Sequence, residues 1–262
     1  IDNVRNKLED IAAHAQNIVA VVGAPIRGNL SSGEPTLHNT AAVLADGHVS
    51  DLYHKHFLPN YAVFDEQRYF TAGQKALILE LNSARLGITI CEDIWLPGGP
   101  VEWAAREGKA DVILNLSASP YHRGKGDERE RLFAQRSTEN RCFLCFCNIV
   151  GGQDELVFDG HSLVFGPDGN LIARGRQFED REEICKIVPQ NIPSNSDCIL
   201  ALGNGFKRRA RSFARGHYFE LVCQSLRFED RLYVGNELGI MRAVLVKPED
   251  CPATFCLLTG DG

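Results

Sequence analysis

A cysteine followed directly by two carboxylates stands at the end of an apolar run. Cys91 closes "LGITIC" and precedes Glu92, Asp93 and a "PGG" turn. Backbone amides where a strand meets a helix can stabilise a thiolate, and the thiolate is the form that attacks a carbonyl carbon. Cys91 is therefore either a candidate nucleophile or a core residue that carries sulfur, and the pattern alone leaves both open.

A lysine follows a predicted strand inside the aromatic segment "YHKHFLPNYAVFDEQRYF". The ammonium group of Lys55 could stabilise a tetrahedral oxyanion or move a proton to a leaving amine. The alternative is an exposed lysine, but a loop so long and so rich in aromatic residues favours a pocket wall. Glu66, further along the loop, could orient Lys55. His54 and His56 flank the lysine, and we interpret them as pocket lining rather than as a pair of metal ligands.

Polar side chains also follow the strand that ends in "NLSASPYHRGK". Ser117 and Ser119 offer hydroxyl groups there, and Arg123 offers a guanidinium group. Together these groups suit a polar substrate that carries a carboxylate. We therefore predict Ser117, Ser119 and Arg123 as substrate-binding residues.

Alternating strands and helices are predicted to carry these residues. Apolar runs rich in β-branched residues indicate strands buried on both faces, and helical spacing of apolar residues indicates amphipathic helices. The predicted strands cover 18–26, 86–91, 111–120, 142–150 and 182–188. The predicted helices cover 2–16, 101–110 and 127–141, with hairpin turns at Asp46-Gly47 and Pro167-Asp168-Gly169.

This order of elements predicts an α/β fold in which two mixed sheets stack with helices outside, a four-layer αββα sandwich. The strand ends should bring Lys55, Cys91 and Ser117–Ser119 together. We expect one domain over 1–188, followed by a linker and an unassigned tail over 189–262. In that tail, 191–197 indicates a linker, and the basic cluster 205–217 is typical of a solvated helix face rather than of an anion site.

Composition and charge argue against several classes of function. The 262 residues carry a net charge of −6, which disfavours a general nucleic-acid or anionic-membrane surface. No apolar run approaches the roughly 18 residues of a membrane span. Nine cysteines at irregular spacing, with no recognisable secretory signal, lead us to expect reduced thiols in a cytoplasm. "RCFLCFCNIV" lacks the second cysteine pair of a zinc site, so we predict buried strand positions for Cys142, Cys145 and Cys147.

Three of these segments together resemble the nitrilase, or carbon–nitrogen hydrolase, superfamily: Lys55 with its loop, Cys91 in "ICEDIW", and "NLSASPYHRGK". Over 1–188 the sequence is most similar to the glutaminase domain of glutamine-dependent NAD⁺ synthetases. The resemblance implies a Glu–Lys–Cys triad. In it, Cys91 attacks the side-chain amide of glutamine, Lys55 stabilises the tetrahedral intermediate, ammonia leaves, and a thioester is hydrolysed to glutamate.

The resemblance also implies a glutamine pocket. Tyr61, Glu92, Ser117 and Ser119 match positions that line or support it. Glu92 either binds the α-ammonium group of the substrate, which we prefer, or holds the turn after Cys91. The general-base glutamate of the family follows an N-terminal strand in a Pro-Glu context. We expect that segment before Ile1, because Glu34-Pro35 has the reverse order and the wrong place.

Cofactors and partners follow from the same resemblance. The hydrolysis implied for Cys91 needs no cofactor and no metal. ATP and Mg²⁺ would belong to a synthetase domain or subunit whose phosphate-binding loop we do not find, since "GGQDE" at 151–155 only superficially resembles it. We therefore do not expect NAD⁺ formation on this chain. The family forms oligomers, which implies packing with further copies of the chain.

Two other functions stay open. A free-standing nitrilase-type amidase would act on another small amide, and comparing glutamine with other amides separates it from a glutaminase. A catalytically dead fragment would lack the general-base glutamate and survive as a binding piece. Labelling of Cys91 by a glutamine-like diazoketone, ahead of the other thiols, would argue against that third possibility.

Overall fold

Two β-sheets pack face to face, with helices on their outer surfaces. The computed structural model describes residues 2–15, 19–81 and 84–179, and the backbone of 182–187, 198–203, 242–247 and 254–259. The predicted linker and the predicted basic cluster lie outside these residues. The fold class expected from the order of elements, an αββα sandwich, is confirmed.

The first sheet has seven strands in the spatial order β12-β13-β15-β14-β1-β2-β3. Its strands are β1 (Val19–Asn29), β2 (Pro35–Ala45), β3 (His48–His54), β12 (Glu182–Ile187), β13 (Cys198–Gly203), β14 (Arg242–Lys247) and β15 (Thr254–Thr259). β14 pairs with β1, so described strands on both sides of residue 188 share one sheet. The predicted division of the chain at 188 stays a prediction.

The second sheet has six strands in the order β11-β10-β7-β6-β5-β4. Its strands are β4 (Leu77–Leu81), β5 (Ala84–Ile90), β6 (Val112–Ser117), β7 (Phe143–Asn148), β10 (Leu163–Phe165) and β11 (Leu171–Arg174). The central three, β5, β6 and β7, run parallel. Their carboxyl ends therefore meet at one edge of the sheet, where ligands bind in open α/β sheets.

Alternation along the strands divides the core into three layers of apolar side chains. On β1, Val19 and Val21 face the second sheet, while Ala20 and Val22 face α1 (Asp2–Ala12). On the far side of the second sheet, Phe146 packs with other apolar residues beneath α3 (Pro100–Arg106) and α4 (Lys125–Asn140). Burial on both faces explains why these strands are continuous apolar runs.

Both predicted hairpins are confirmed, whereas several other described elements had no prediction. The turn at Asp46-Gly47 has positive φ at both residues, which suits the twist of the flanking strands. The strand β4 and the hairpin of β8 (Val150–Gln153) with β9 (Leu156–Asp159) were not predicted. None of the helices in the described residues has the length and apolar character needed to cross a membrane.

Candidate active site

Cys91 is the first residue of a single 3₁₀ turn, Cys91–Ile94, that follows β5 directly. Its φ of 42° lies in the left-handed region, which a residue with a side chain adopts at a cost of about 1–3 kcal/mol. Strain of this kind persists only where the surroundings hold it, and it concentrates at functional sites. Cys91 is half-buried, as a nucleophile presented at a strand end should be.

Hydrogen bonds from side chains on two neighbouring elements, β6 and α4, hold this turn in place. The Asn115 side chain on β6 donates to the carbonyl of Cys91 at 3.4 Å and to the hydroxyl of Thr89 at 3.0 Å. The buried guanidinium of Arg136 on α4 donates to the carbonyls of Ile94 at 3.1 Å and Trp95 at 3.0 Å. The strained turn is thus held at both ends.

Lys55 follows β3 and is held by its backbone and by its ammonium group. Its N–H donates to the carbonyl of Asn39 at 2.8 Å, and its carbonyl accepts from Gly73 N at 2.8 Å. The ammonium lies 2.6 and 2.8 Å from the two carboxylate oxygens of Glu66, on the short helix α2 (Glu66–Tyr69). Lys55 is only 1% exposed, so Glu66 compensates a buried charge.

Asp93 joins the turn of Cys91 to the loop of Lys55. One carboxylate oxygen accepts from the backbone N–H groups of His56 at 3.1 Å and Phe57 at 2.9 Å. The other accepts from the Tyr53 hydroxyl at 2.7 Å and from Ile90 N at 2.9 Å. Burial raises the pKa of Asp93, while the hydrogen bonds from Phe57, Ile90 and Tyr53 and the charge of Lys55 oppose the rise.

A cavity of about 630 Å³ opens beside this turn. It is lined by His56, Phe57, Leu58, Pro59, Asn60, Tyr61, Gln67, Phe70, Ala72, Glu92 and Leu96. The Tyr61 hydroxyl donates to Glu92 at 2.8 Å, and Glu92 is only 7% exposed. Shielding of the hydroxyl, this hydrogen bond and the negative charges of Glu92 and Cys91 raise the pKa of Tyr61. Two predicted pocket residues, Tyr61 and Glu92, therefore share the cavity wall, whereas Cys91 and Lys55 are not among the residues that line it.

The other predicted binding residues lie elsewhere around the strand ends. Ser117 is fully buried and donates to Asn115 at 2.6 Å, so it belongs to the network beneath the turn. Ser119 is buried, and its carbonyl accepts from Arg129 at 2.7 Å. Arg123 is exposed on the following loop. None of the three lines the cavity of Tyr61 and Glu92, and their contact with substrate stays a prediction.

The two histidines that flank Lys55 have different surroundings. His54 stacks on His38 with 4.2 Å between ring centroids and hydrogen-bonds Thr40 at 2.8 Å. Both were predicted to line a pocket; His56 lines the cavity, whereas His54 is not among its lining residues. Within the described ranges, no three His, Cys, Asp or Glu side chains are grouped so as to hold a metal. Cys145 and Cys147 are buried on β7, as predicted. Cys142 is buried too, but it directly precedes β7 rather than lying on the strand, and burial raises the pKa of its thiol to about 12.

Comparison with known proteins agrees with this geometry. The sequence profile of the carbon-nitrogen hydrolase family matches residues 5–190. The chain belongs to the carbon-nitrogen hydrolase family. This hydrolase is 44% identical over 174 residues to the glutamine-dependent NAD⁺ synthetase of Aquifex aeolicus, in a match that covers 66% of the chain and 30% of the synthetase.

Solved structures give the same assignment for this hydrolase. The glutamine-dependent NAD⁺ synthetase of Acinetobacter baumannii superposes with a TM-score of 0.55 at 35% identity, covering 61% of this chain and 30% of that one. A mutant amidase from Nesterenkonia, whose active-site cysteine carries the acetamide moiety of fluoroacetamide, gives 0.55 at 26% identity, covering 67% and 63%. The expected resemblance to synthetases of this kind is confirmed, and this chain spans less than a third of their length.

The site of this hydrolase depends on residues that sequence reasoning missed. Asp93, Asn115 and Arg136 fix the turn that carries Cys91, yet none of them was predicted as a site residue. The only signal in the sequence was position: Asp93 follows Cys91 closely, and Asn115 lies near a strand end. A thiol at a strained strand end, in a turn that Asp93 joins to the segment of a buried ammonium, suits nucleophilic attack on a carbonyl followed by stabilisation of the oxyanion.

Proposed function

We propose that this hydrolase is a glutamine amidohydrolase module that supplies ammonia to a synthetase domain or subunit for NAD⁺ synthesis. The Cys91 thiolate attacks the amide carbon of glutamine, and the Lys55 ammonium stabilises the tetrahedral oxyanion. Protonation of the amine releases ammonia and leaves a thioester on Cys91, which water hydrolyses to glutamate. The reaction needs a general base to take the proton of Cys91, and the resemblance to the family implies a glutamate in a Pro-Glu context for that role. The hydrolysis itself needs no cofactor.

The position and burial of the Glu92 carboxylate favour glutamine as the substrate over a simple amide. Glu92 is 93% hidden from solvent, it lines the cavity, and it directly follows Cys91 in the chain. One of its oxygens accepts from Tyr61 at 2.8 Å. A nearly buried carboxylate needs a cation or several donors, and the α-ammonium group of glutamine supplies both charge and donors. The similarity to glutamine-dependent NAD⁺ synthetases supports the same substrate.

A second candidate is an amidase for a small amide without an amino-acid head group. The similarity to the Nesterenkonia amidase favours it, because the match covers 63% of that chain. In that case Glu92 would hold Tyr61 and the turn rather than bind substrate.

Amide hydrolysis separates the two candidates. The protein, produced with whatever residues precede Ile1 in its gene, is supplied with glutamine, asparagine or propionamide, and released ammonia is measured. We expect hydrolysis of glutamine above all, loss of activity in Cys91→Ala, and retention in the control Cys142→Ala. Turnover of propionamide with no turnover of glutamine would replace the glutaminase proposal with the amidase.

The variant Glu92→Gln tests whether the Glu92 carboxylate binds the α-ammonium group of glutamine. It keeps the size of the side chain and removes its charge, so the KM for glutamine should rise about 10-fold or more, as expected for one charged hydrogen bond. Labelling by a glutamine-like diazoketone adds an independent readout. Preferential reaction at Cys91 indicates a live nucleophile, whereas slow and uniform labelling of all thiols indicates a dead fragment.

A further inference from the structure

The carboxylate of Asp93 forms hydrogen bonds with both the segment that carries Cys91 and the segment that carries Lys55, which a role in one local turn does not require. Its two oxygens accept four hydrogen bonds, and they come from two separate segments. Ile90 N belongs to the strand that ends at Cys91. His56 N, Phe57 N and the Tyr53 hydroxyl belong to the segment that surrounds Lys55. The separation between Asp93 and Phe57 is 36 residues, so this contact is tertiary.

We infer that Asp93 is a positioning residue, which sets the distance between the Cys91 thiol and the Lys55 ammonium by clamping their two segments to one carboxylate. The inference rests on the proposed roles of Cys91 and Lys55 in amide hydrolysis. Asp93 itself is 1% exposed, and both of its oxygens are already occupied by donors of the protein, so it acts through these two residues rather than on substrate.

The geometry gives a physical reason for a carboxylate at this position. The backbone N–H groups of Ile90, His56 and Phe57 all point to one place, and a buried N–H without a partner costs roughly 1–3 kcal/mol. A carboxylate only accepts hydrogen bonds and can satisfy donors from several directions at once. An asparagine would present an amide N–H₂ to one pair of these donors, so that pair would separate.

The charge of Asp93 also bears on the lysine. The Lys55 ammonium is buried and bonds to both oxygens of Glu66. The charge of Asp93 attracts the same ammonium without a direct hydrogen bond. Asp93 therefore holds the loop of Lys55 to the turn both by backbone hydrogen bonds and by charge.

The test compares Asp93→Asn with a control that loses stability elsewhere. Leu8→Ala opens the apolar cluster under α1, on the opposite face of the first sheet from the site. For both variants we measure the thermal midpoint, kcat and KM for amide hydrolysis, and the rate at which chloroacetamide alkylates Cys91 between pH 6 and 9. The Cys91 thiolate displaces chloride in that reaction, and mass spectrometry of the peptide identifies the site.

We expect Asp93→Asn to lower kcat about 100-fold, the loss typical of a misplacement of about 1 Å, with KM within about threefold of the wild type. The alkylation rate of Cys91 should fall about 10-fold or more, and its pH dependence should change. Leu8→Ala should lower the thermal midpoint while leaving these quantities unchanged. Equal losses of kcat in the two variants, or an alkylation profile of Asp93→Asn that matches the wild type, would overturn the inference.

A second variant decides the matter if Asp93→Asn does not fold. Tyr53→Phe removes one of the four donors and keeps the ring, and it should lower the alkylation rate of Cys91 at least threefold. An unchanged rate would overturn the inference. The outcome for glutamine is separate: a wild type that hydrolyses another amide but not glutamine defeats the proposed function, while the ratio of alkylation rates still decides the role of Asp93.

Discussion

The ammonium of Lys55 lies 2.6 and 2.8 Å from the two carboxylate oxygens of Glu66, and this pair orients the lysine at the candidate site. Lys55 is almost fully buried, whereas 20% of the Glu66 side chain is exposed. A buried ammonium without its partner is strongly disfavoured. The pair therefore compensates the buried ammonium and directs it, which suits stabilisation of an oxyanion.

Replacing Glu66 by glutamine removes the charge and keeps the shape. We expect Glu66→Gln to lower kcat for amide hydrolysis about 10- to 100-fold, because Lys55 loses both its counter-charge and its fixed direction. The free energy of unfolding should fall by about 2–3 kcal/mol, less than for a fully buried pair, since solvent partly screens Glu66. Steady-state kinetics and urea unfolding measure the two effects.

Asp65→Asn is the matched control for that variant. It makes the same change of charge one residue away, where Asp65 forms only an exposed ion pair with Arg68 at 3.6 Å. Exposed pairs contribute about 0–1 kcal/mol. A loss of activity in Asp65→Asn equal to that in Glu66→Gln would mean that the local charge matters, rather than the contact with Lys55.

The central strands were predictable because burial on both faces leaves a pattern of its own. The run that forms β1 and the run that ends at Cys91 are continuous, apolar and β-branched, and only a strand between two layers needs such a sequence. The edge strand β4 has the opposite character, since four of its five residues are partly or fully exposed. Its short pattern does not distinguish a strand from a loop.

The reactive groups of the candidate site could be proposed from the sequence, but the residues that support them could not. Cys91 and Lys55 stand out by residue type and by position after a strand. The supports depend on contacts between segments far apart in the chain, such as Arg136 with Ile94, which are 42 residues apart. No local pattern encodes such a contact. For the same reason, the sequence does not reveal that the Ser117 hydroxyl, which we predicted to bind substrate, donates to Asn115 within the protein.

The lowered pKa of His54 leads us to expect a loss of stability in acid. Burial, and next the nearby His38, lower the pKa of His54 to about 4. The unfolded chain binds this proton below about pH 6.5, but the folded protein binds it only near pH 4. Acidification from pH 7 to pH 5 therefore favours the unfolded state, by about 1–2 kcal/mol from this group. Urea unfolding at the two pH values measures the difference.

His54→Asn removes the titrating group and keeps a polar partner for Thr40. Its free energy of unfolding should depend less on pH between 7 and 5 than that of the wild type. The control His48→Asn changes an exposed histidine and should keep the pH dependence of the wild type. Identical pH dependence in His54→Asn and the wild type would show that His54 titrates in the same way in both states.

The backbone next to Lys55 leaves no room for a side chain at Gly73. A Cβ atom at this position would overlap the carbonyl oxygen of His54, a backbone atom that cannot move aside freely. Gly73→Ala should therefore break the hydrogen bond from Gly73 N to the Lys55 carbonyl and destabilise the fold by about 1–3 kcal/mol. Thermal unfolding measures the loss. The control Gly152→Ala adds a Cβ whose nearest contact is 3.6 Å, and it should melt like the wild type.

Breaking the buried ion pair of Arg129 should greatly reduce the stability of the fold. Its guanidinium lies 2.6 Å from Asp159, both side chains are fully buried, and it also donates to the carbonyl of Ser119 at 2.7 Å. Arg129→Met would leave the Asp159 carboxylate buried without its cation, which should lower the free energy of unfolding by about 3–5 kcal/mol. Urea unfolding measures this, with the exposed Arg131→Met as a control that should change it by less than about 0.5 kcal/mol.

The double variant distinguishes the lost pair from lost packing. If the unpaired carboxylate causes most of the damage, Arg129→Met combined with Asp159→Asn should recover part of the stability lost in Arg129→Met alone. The loop at Ser119 would still lack its donor, so recovery should be incomplete. A double variant less stable than Arg129→Met by the full effect of Asp159→Asn would show that the two side chains act independently, despite the 2.6 Å between them.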